Sequence, residues 1–86
     1  MLELYQSEGC PYSGEVREQL SDLGVSYVAH NPRLPGDDGG DVTNDVTYDQ
    51  LTDVGEDSIP TLVDTERGQT LQDTDEILGY LEEHYA

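Results

Sequence analysis

The sequence contains a single cysteine, Cys10, among its 86 residues. One cysteine cannot form a disulfide within the chain, so the fold depends on its packed core alone. Any disulfide at Cys10 requires a thiol from another molecule. Folding without disulfides is typical of proteins in reducing compartments, and we therefore expect a cytoplasmic protein.

Lysine is absent, and three arginines face 20 acidic residues, which gives a formal net charge of −17. This balance excludes nucleic acid as a partner, because contacts to phosphates require a basic patch. Three interpretations of the acidity compete: disorder, a recognition surface for a basic partner, and adaptation to molar salt. In molar salt the Debye length is about 3 Å, so that repulsion between the acids is screened. Periodic apolar segments argue against disorder. Since the acids are spread along the whole chain, we favour salt adaptation, which indicates a halophilic source and leaves the function open.

Long apolar runs are also missing from the sequence. No segment reaches the roughly 18 apolar residues of a membrane span, and the N-terminus lacks a charged and then apolar leader pattern. The length suits one small domain. We expect a single domain over residues 1–86 that does not bind membranes.

Turn signals and apolar spacing divide the chain into seven elements in the order β-α-β-α-β-β-α. Strands are predicted over residues 1–6, 25–29, 59–64 and 69–72, the second with Val25, Tyr27 and Ala29 on one face. Helices are predicted over residues 11–23, from a capping box at Thr47 to Gly55, and after a cap at Asp73. Residues 31–46 form a long loop.

The order of elements predicts the fold class. A strand–helix–strand start implies a right-handed crossover between parallel strands, and the last two strands form a hairpin. With helices on both faces, this is the α/β thioredoxin-like arrangement with a mixed four-stranded sheet. The loop carries Asp37, Asp38, Asp41 and Asp45, but without EF-hand spacing or a closing glutamate, so we predict a solvated loop rather than a calcium site.

Cys10 is predicted to be the N-cap of the first helix, because Pro11 after it is favoured at the first helical position. A sulfur there faces free backbone N–H groups and the positive end of the helix dipole, which favour the nucleophilic thiolate. Glu8 opposes the thiolate by like-charge repulsion. The alternative is a small buried apolar side chain, the usual state of a lone cysteine.

Other residues near this position leave their roles open. Ser13 stands where a second cysteine would complete a Cys-x-x-Cys pair, and it can hydrogen-bond a thiolate or act as an ordinary first-turn serine. Tyr12 is either a lid over the thiol or a surface aromatic. Nothing in the sequence places a carboxylate or a second histidine against His30 or His84, so we predict solvated histidines and no metal site.

Three motifs now stand out: Cys10-Pro11-Tyr12-Ser13 after the first strand, Ile59-Pro60 before the third, and Gln72-Asp73-Thr74 at the start of the last helix. Together they resemble the glutaredoxins and the N-terminal thioredoxin-fold domain of glutathione transferases. The resemblance covers essentially the whole chain and is loosest over residues 31–46. The last helix is more similar to that of the transferases, and the acidic chain resembles small haloarchaeal members of these families.

The resemblance implies catalytic roles around the first helix. Cys10 matches the family's nucleophile, while Ser13 stands in place of the resolving cysteine, which argues against a dithiol mechanism. Ser7 occupies the place of the family's basic residue, and Arg33 in the loop is the candidate to replace it.

The resemblance also implies a site for a small thiol. Pro60 matches the family's cis-proline, and Ile59 matches the residue whose backbone pairs with the cysteinyl part of a bound thiol tripeptide. Asp73 and Thr74 match the pair that holds the γ-glutamyl end.

The leading hypothesis is a monothiol glutaredoxin-like thiol–disulfide oxidoreductase. Cys10 attacks a mixed disulfide between a protein and a glutathione-type thiol, and a second small thiol then releases the adduct. Glutathione and γ-glutamylcysteine both fit as the co-substrate. The expected partners are this small thiol and disulfide-bearing proteins, and we expect a monomer.

Two alternatives belong to other classes of protein. One is an iron–sulfur carrier, a dimer in which Cys10 of each chain and two external thiols hold a [2Fe–2S] cluster. Cluster-binding relatives more often carry Gly-Phe where Pro11-Tyr12 stand, which argues against it. The other is a thiol-binding module without turnover, whose acidic surface meets a basic partner.

Overall fold

The structure, a computed structural model, describes residues 1–37, 39–42 and 44–86. Its seven elements follow the predicted order. They are β1 (Leu2–Tyr5), α1 (Pro11–Asp22), β2 (Val28–His30), α2 (Asp45–Val54), β3 (Thr61–Asp64), β4 (Gln69–Leu71) and α3 (Thr74–Tyr85). The loop aspartate Asp38 lies outside the described residues.

The four strands form one mixed sheet in the order β2-β1-β3-β4. β1 runs parallel to β2, with Leu4 opposite Ala29. β3 is antiparallel to both β1 and β4, with Leu62 opposite Leu4 on one side and Leu71 on the other. This sheet confirms the predicted thioredoxin-like fold.

One apolar core lies between the sheet and the helices α1 and α3. Its buried members are Leu2, Leu4 and Leu62 from the sheet, Val16 and Leu20 from α1, and Ile77 and Leu81 from α3. In each helix the two core residues are four positions apart and therefore share one face. This packing fixes both helices on the same side of the sheet.

Buried side chains also lie away from the core of α1 and α3, on the other face of the sheet and on α2. Tyr5 points away from the Leu4 face, since successive strand residues alternate, and it is 5% exposed. Burial raises the pKa of Tyr5, and the charges of Glu3 and of Asp53 on α2 raise it further. Leu51 of α2 is fully buried but is not a member of the core beside α1 and α3.

The predicted starts of β2 and β3 were wrong, and β3 begins at Thr61 instead of residue 59. β2 begins at Val28 instead of residue 25, because its ladder extends only along Glu3 to Tyr5 of β1. Val25 and Tyr27 still pack against the core. Ala29 pairs with Leu4, whose side chain lies in that core, so Ala29 is on the same side of the sheet although it is exposed.

The start of α2 also differs from the prediction. Asn44 rather than Thr47 caps the helix, and its Oδ1 accepts a hydrogen bond from the Thr47 N–H at 3.2 Å. Asparagine is a slightly better N-cap than threonine, and the helix gains two residues before Thr47. Within the described residues, no helix has both the length and the apolar character needed to cross a membrane.

Candidate functional site

Several chain segments meet at one edge of the sheet. β1 and β4 end at this edge and β3 begins there, because β3 is antiparallel to both neighbours. The segment after β1 carries Cys10, the segment before β3 carries Ile59 and Pro60, and α3 begins after β4 with Asp73 and Thr74. The topology therefore brings the predicted nucleophile and the predicted thiol-binding residues to the same edge.

Cys10 is the N-cap residue of α1, with φ −75° and ψ 118°, and Pro11 opens the helix. Gly9 has φ +83°, in the left-handed region that glycine adopts at low cost, and so turns the chain from β1 into α1. The Cys10 thiol is free and the residue is 3% exposed. It stands where the helix dipole favours negative charge.

Leu34 and Gly36, in the loop between β2 and α2, lie against the turn that carries Cys10. The Ser7 hydroxyl donates a hydrogen bond to the carbonyl of Leu34 at 2.9 Å. The N–H of Gly36 donates to the carbonyl of Glu8, also at 2.9 Å. Two hydrogen bonds thus hold the loop beside the nucleophile.

A cavity of about 230 Å³, here called the cysteine cavity, opens at Cys10. Its lining residues are Cys10, Tyr12, Arg33, Asp57, Ser58 and Ile59. The Ile59–Pro60 peptide bond is cis, in agreement with the resemblance, and Pro60 is fully buried. Ile59 therefore faces the thiol across a cavity large enough for part of a small molecule.

Arg33 brings a positive charge to the cysteine cavity, but that charge is paired. Its Nη2 donates to Asp57 Oδ2 at 2.7 Å and its Nη1 to the carbonyl of Gly40 at 3.1 Å. The hydrogen bond from Arg33 lowers the pKa of Asp57, and burial partly opposes this effect. A hydrogen bond from the Tyr48 hydroxyl lowers the pKa further. Asp57 therefore stays ionised and fixes the guanidinium at the cavity wall.

The negative charge of Glu8 is offset by Arg17. The Arg17 Nη1 lies 3.3 Å from Glu8 Oε2, and the same nitrogen donates to the side-chain oxygen of buried Gln6. The repulsion between Glu8 and a Cys10 thiolate, expected from the sequence, is thus reduced by a cation on the same helix as the N-cap.

A second cavity of about 460 Å³, here called the α3 cavity, lies at the start of α3. Its lining residues are Tyr12, Glu15, Gln72, Asp73, Thr74 and Asp75. Tyr12 lines both cavities and is 55% exposed, so it stands at their boundary. Asp73 Oδ2 accepts a hydrogen bond from the Glu76 N–H at 3.0 Å and caps α3, as predicted.

Three of the predicted site residues line neither cavity and have supporting positions. Ser13 is fully buried, and its hydroxyl oxygen accepts a hydrogen bond from the Ser7 N–H at 3.4 Å. Pro11 opens α1 behind Cys10, and Pro60 lies behind Ile59. These residues shape the backbone that presents the nucleophile and the facing wall.

The sequence interpretation missed Asp57, Ser58 and Arg17 as site residues. Asp57 and Ser58 immediately precede the Ile59-Pro60 motif, so that their place in the same turn was a usable signal. Arg17 lies about two helical turns after Cys10 and is therefore on the same side of α1 as the N-cap residue. Its pairing with Glu8 crosses from helix to turn and has no local sequence signature.

His30 is not solvated, contrary to the prediction. Its Nε2 lies 2.8 Å from Glu3 Oε1, and its ring stacks on Tyr5 with the centroids 4.6 Å apart. The parallel register places Tyr5 opposite His30 and brings Glu3 to the same side of the ladder. In the part of the chain that the structure describes, no group of three or more His, Cys, Asp or Glu residues is placed to hold a metal ion.

A family model described as the N-terminal domain of glutathione S-transferase matches residues 4–86. No curated protein matches the chain. Among solved structures, the chain is similar to a glutathione S-transferase from the Antarctic clam Laternula elliptica, with 17% identity and a TM-score of 0.72. That likeness covers 98% of this chain and 35% of the clam protein.

Two further solved structures show the same fold. A diazinon-metabolizing glutathione S-transferase from the silkworm Bombyx mori shares 26% identity, with a TM-score of 0.66, and the match covers 99% of this chain and 38% of that one. A glutathione S-transferase from Methylobacterium radiotolerans, solved in complex with glutathione sulfonate, shares 20% identity with a TM-score of 0.65 over 98% and 35% of the two chains. The present chain thus spans little more than a third of the length of the solved structures it matches.

Proposed function

The chain belongs to the family of glutathione S-transferase N-terminal domains, matched over residues 4–86, and from this we propose that it is a glutathione-dependent thiol transferase. More specifically, we propose a monothiol thiol–disulfide oxidoreductase of the glutaredoxin-like kind. Its substrates are mixed disulfides between proteins and a glutathione-type thiol, and its nucleophile is Cys10.

One observation carries the proposal: the only thiol of the chain lines a cavity at the start of a helix, opposite Ile59 of the cis-proline segment. A thiolate is the attacking species in disulfide exchange. Cys10 stands at the N-terminus of α1 and lines the cysteine cavity.

The reaction proceeds in two exchanges that conserve electrons. First, the Cys10 thiolate attacks the sulfur of the small thiol in the mixed disulfide, the original S–S bond breaks, and the protein thiolate leaves and takes up a proton. A disulfide between Cys10 and the small thiol remains. Second, the thiolate of another small thiol attacks that sulfur, releasing the Cys10 thiolate and the oxidised small-thiol disulfide.

The two cavities offer contacts for the two ends of a γ-glutamyl thiol. Beside Cys10, the backbone of Ile59 pairs with the cysteinyl part. Arg33 on the same wall donates to a carboxylate through N–H groups other than those given to Asp57 and Gly40. In the α3 cavity, Asp73 and Thr74 hold the γ-glutamyl end, whose ammonium suits the carboxylate. Glutathione and γ-glutamylcysteine both carry these groups, so both are proposed co-substrates.

A single thiol is sufficient for this cycle. Ser13 occupies the position of a resolving cysteine and cannot form a disulfide, so release of the adduct depends on the external thiol. The proposed protein is a cytoplasmic monomer whose other partners are proteins that carry mixed disulfides.

The test is turnover of the mixed disulfide between glutathione and 2-mercaptoethanol, followed as formation of oxidised glutathione. Wild type should turn over with glutathione, γ-glutamylcysteine or both, and Cys10→Ser should lose all activity above the uncatalysed rate. Ser21→Ala, an exposed position on the same helix, is the matched control and should retain full activity. Equal activity of the Cys10→Ser and wild-type chains would refute the proposal.

A thiol-binding module without turnover is the second candidate, and the 3% exposure of Cys10 favours it. A buried sulfur limits the approach of a protein disulfide more than that of a small molecule. In this case wild type would form a glutathione adduct on Cys10, visible by intact mass, that excess glutathione does not release.

A further inference from the structure

We propose that Gln72 is a positioning residue. It fixes the distance between the segment before β3, which forms one wall of the cysteine cavity, and the start of α3, which lines the α3 cavity. This inference rests on the function proposed above, since it concerns how the two ends of one small thiol are aligned. Gln72 itself lines the α3 cavity, next to Asp73 and Thr74.

The carboxamide of Gln72 reaches across to the backbone of Glu56, at the start of the turn that carries Asp57 and Ser58. Its Nε2 donates to the Glu56 carbonyl at 2.8 Å, and its Oε1 accepts from the Glu56 N–H at 3.1 Å. This pair of opposed hydrogen bonds fixes both the distance and the orientation of the two segments.

The second proton of the same Nε2 continues the link toward the cysteine cavity. Nε2 donates to Thr61 Oγ1 at 2.9 Å, and that hydroxyl donates to the Ser58 carbonyl at 2.7 Å. Ser58 lines the cysteine cavity and directly precedes Ile59. One side chain before α3 is therefore connected, through two hydrogen bonds, to the wall that faces Cys10.

Only a carboxamide fits this arrangement. The Gln72 amide nitrogen donates two hydrogen bonds and its oxygen accepts one. A carboxylate at this position would lose the two donated bonds, and an apolar side chain would lose all three. Gln72 thereby ties Ile59 on one wall to Asp73 on the other, the two residues proposed to hold opposite ends of the thiol.

Gly55 provides an independent way to break the link. A Cβ at this position would lie 2.8 Å from the Gln72 carboxamide carbon and nitrogen. The backbone of Gly55 is extended, with φ −174°, so alanine is tolerated there and acts by displacing the flexible end of Gln72. Gly55→Ala thus perturbs the same hydrogen bonds as Gln72→Ala without removing a side chain.

The experiment measures KM for glutathione and, separately, the rate at which iodoacetamide alkylates Cys10. Gln72→Ala and Gly55→Ala should each raise KM about fivefold, because misaligned walls weaken the binding of the thiol by about as much as one net hydrogen bond. Alkylation should stay within about twofold of wild type, because Gln72 does not touch Cys10. The double variant should be no worse than either single one, since both remove one link.

Two further measurements separate the possible results. Gln50→Ala, an exposed glutamine on α2, should leave KM unchanged, and the Glu56 amide hydrogen should exchange with solvent faster in Gly55→Ala than in wild type. Unchanged KM or unchanged exchange in Gly55→Ala overturns the role of Gln72 and leaves the proposed function standing. A wild-type chain that neither turns over nor binds glutathione overturns the proposed function, and the inference falls with it.

Discussion

Replacing Asp64 by asparagine should destabilise the folded chain at neutral pH and much less in acid. Asp64 is fully buried on β3. Its Oδ2 accepts hydrogen bonds from Tyr80 at 2.7 Å, Tyr85 at 2.8 Å and Arg67 at 3.1 Å. The variant keeps the shape of the side chain and removes the charge that organises these three donors.

The magnitude follows from the carboxyl group's pKa. Burial alone would raise the pKa of Asp64, but the hydrogen bonds from Tyr80, Tyr85 and Arg67 outweigh it and lower the pKa from 3.8 to about 2. A lowered pKa means that the folded state binds the proton less readily than the unfolded state. The resulting stabilisation is about 2 kcal/mol above pH 5, and it is lost as the pH falls from about 4 toward 2.

The assay is urea unfolding of both chains at pH 7 and pH 2.5 in the same salt. Asp64→Asn should lower the free energy of unfolding by about 2 kcal/mol at pH 7, with a smaller difference at pH 2.5. Asp22→Asn, which removes an exposed carboxylate at the end of α1, is the control and should change stability by less than about 0.5 kcal/mol. An equal loss for Asp64→Asn at both pH values would show that the charge is not the cause.

Two more predictions concern charge at the site and over the whole chain. Asp73→Asn should keep the α3 cap and the urea midpoint, since asparagine caps as well as aspartate. KM for glutathione should rise about fivefold, because the carboxylate no longer pairs with an ammonium. An unchanged KM would remove Asp73 from the proposed site. Raising KCl from 0.1 M to 2 M should increase the free energy of unfolding, measured with urea, because screening weakens repulsion within a chain of net charge −17. Lower stability in 2 M KCl would contradict the interpretation of the acidity as salt adaptation.

The parts of the fold that the sequence predicted depend on local chemistry. The spacing of Val16 and Leu20 identified α1 and its buried face, and Pro11 identified Cys10 as its cap. Asp73 identified the start of α3 in the same way. Helix caps and apolar periodicity involve residues a few positions apart, so one sequence is enough to recognise them.

The features that the sequence did not predict depend on partners far apart in the chain. Glu3 and His30 meet only because β1 and β2 pair in one particular register. Arg33 and Asp57 meet only because the loop folds over the edge of the sheet. Such contacts are selected by the tertiary structure, and neither residue carries a local signal of its partner.

The supports of the nucleophile have a consequence for how this sequence can diverge. Gly36 is joined to Glu8, and Leu34 to Ser7, through main-chain atoms of the loop rather than its side chains. The Leu34 side chain, which is 49% exposed, can therefore be exchanged without disturbing the turn at Cys10, whereas a Cβ at Gly36 would lie 3.0 Å from the backbone nitrogen of Gly40. A carboxylate added at such an exposed loop position leaves the geometry of the reactive centre unchanged, so the acidity of the chain and the support of its nucleophile are separable.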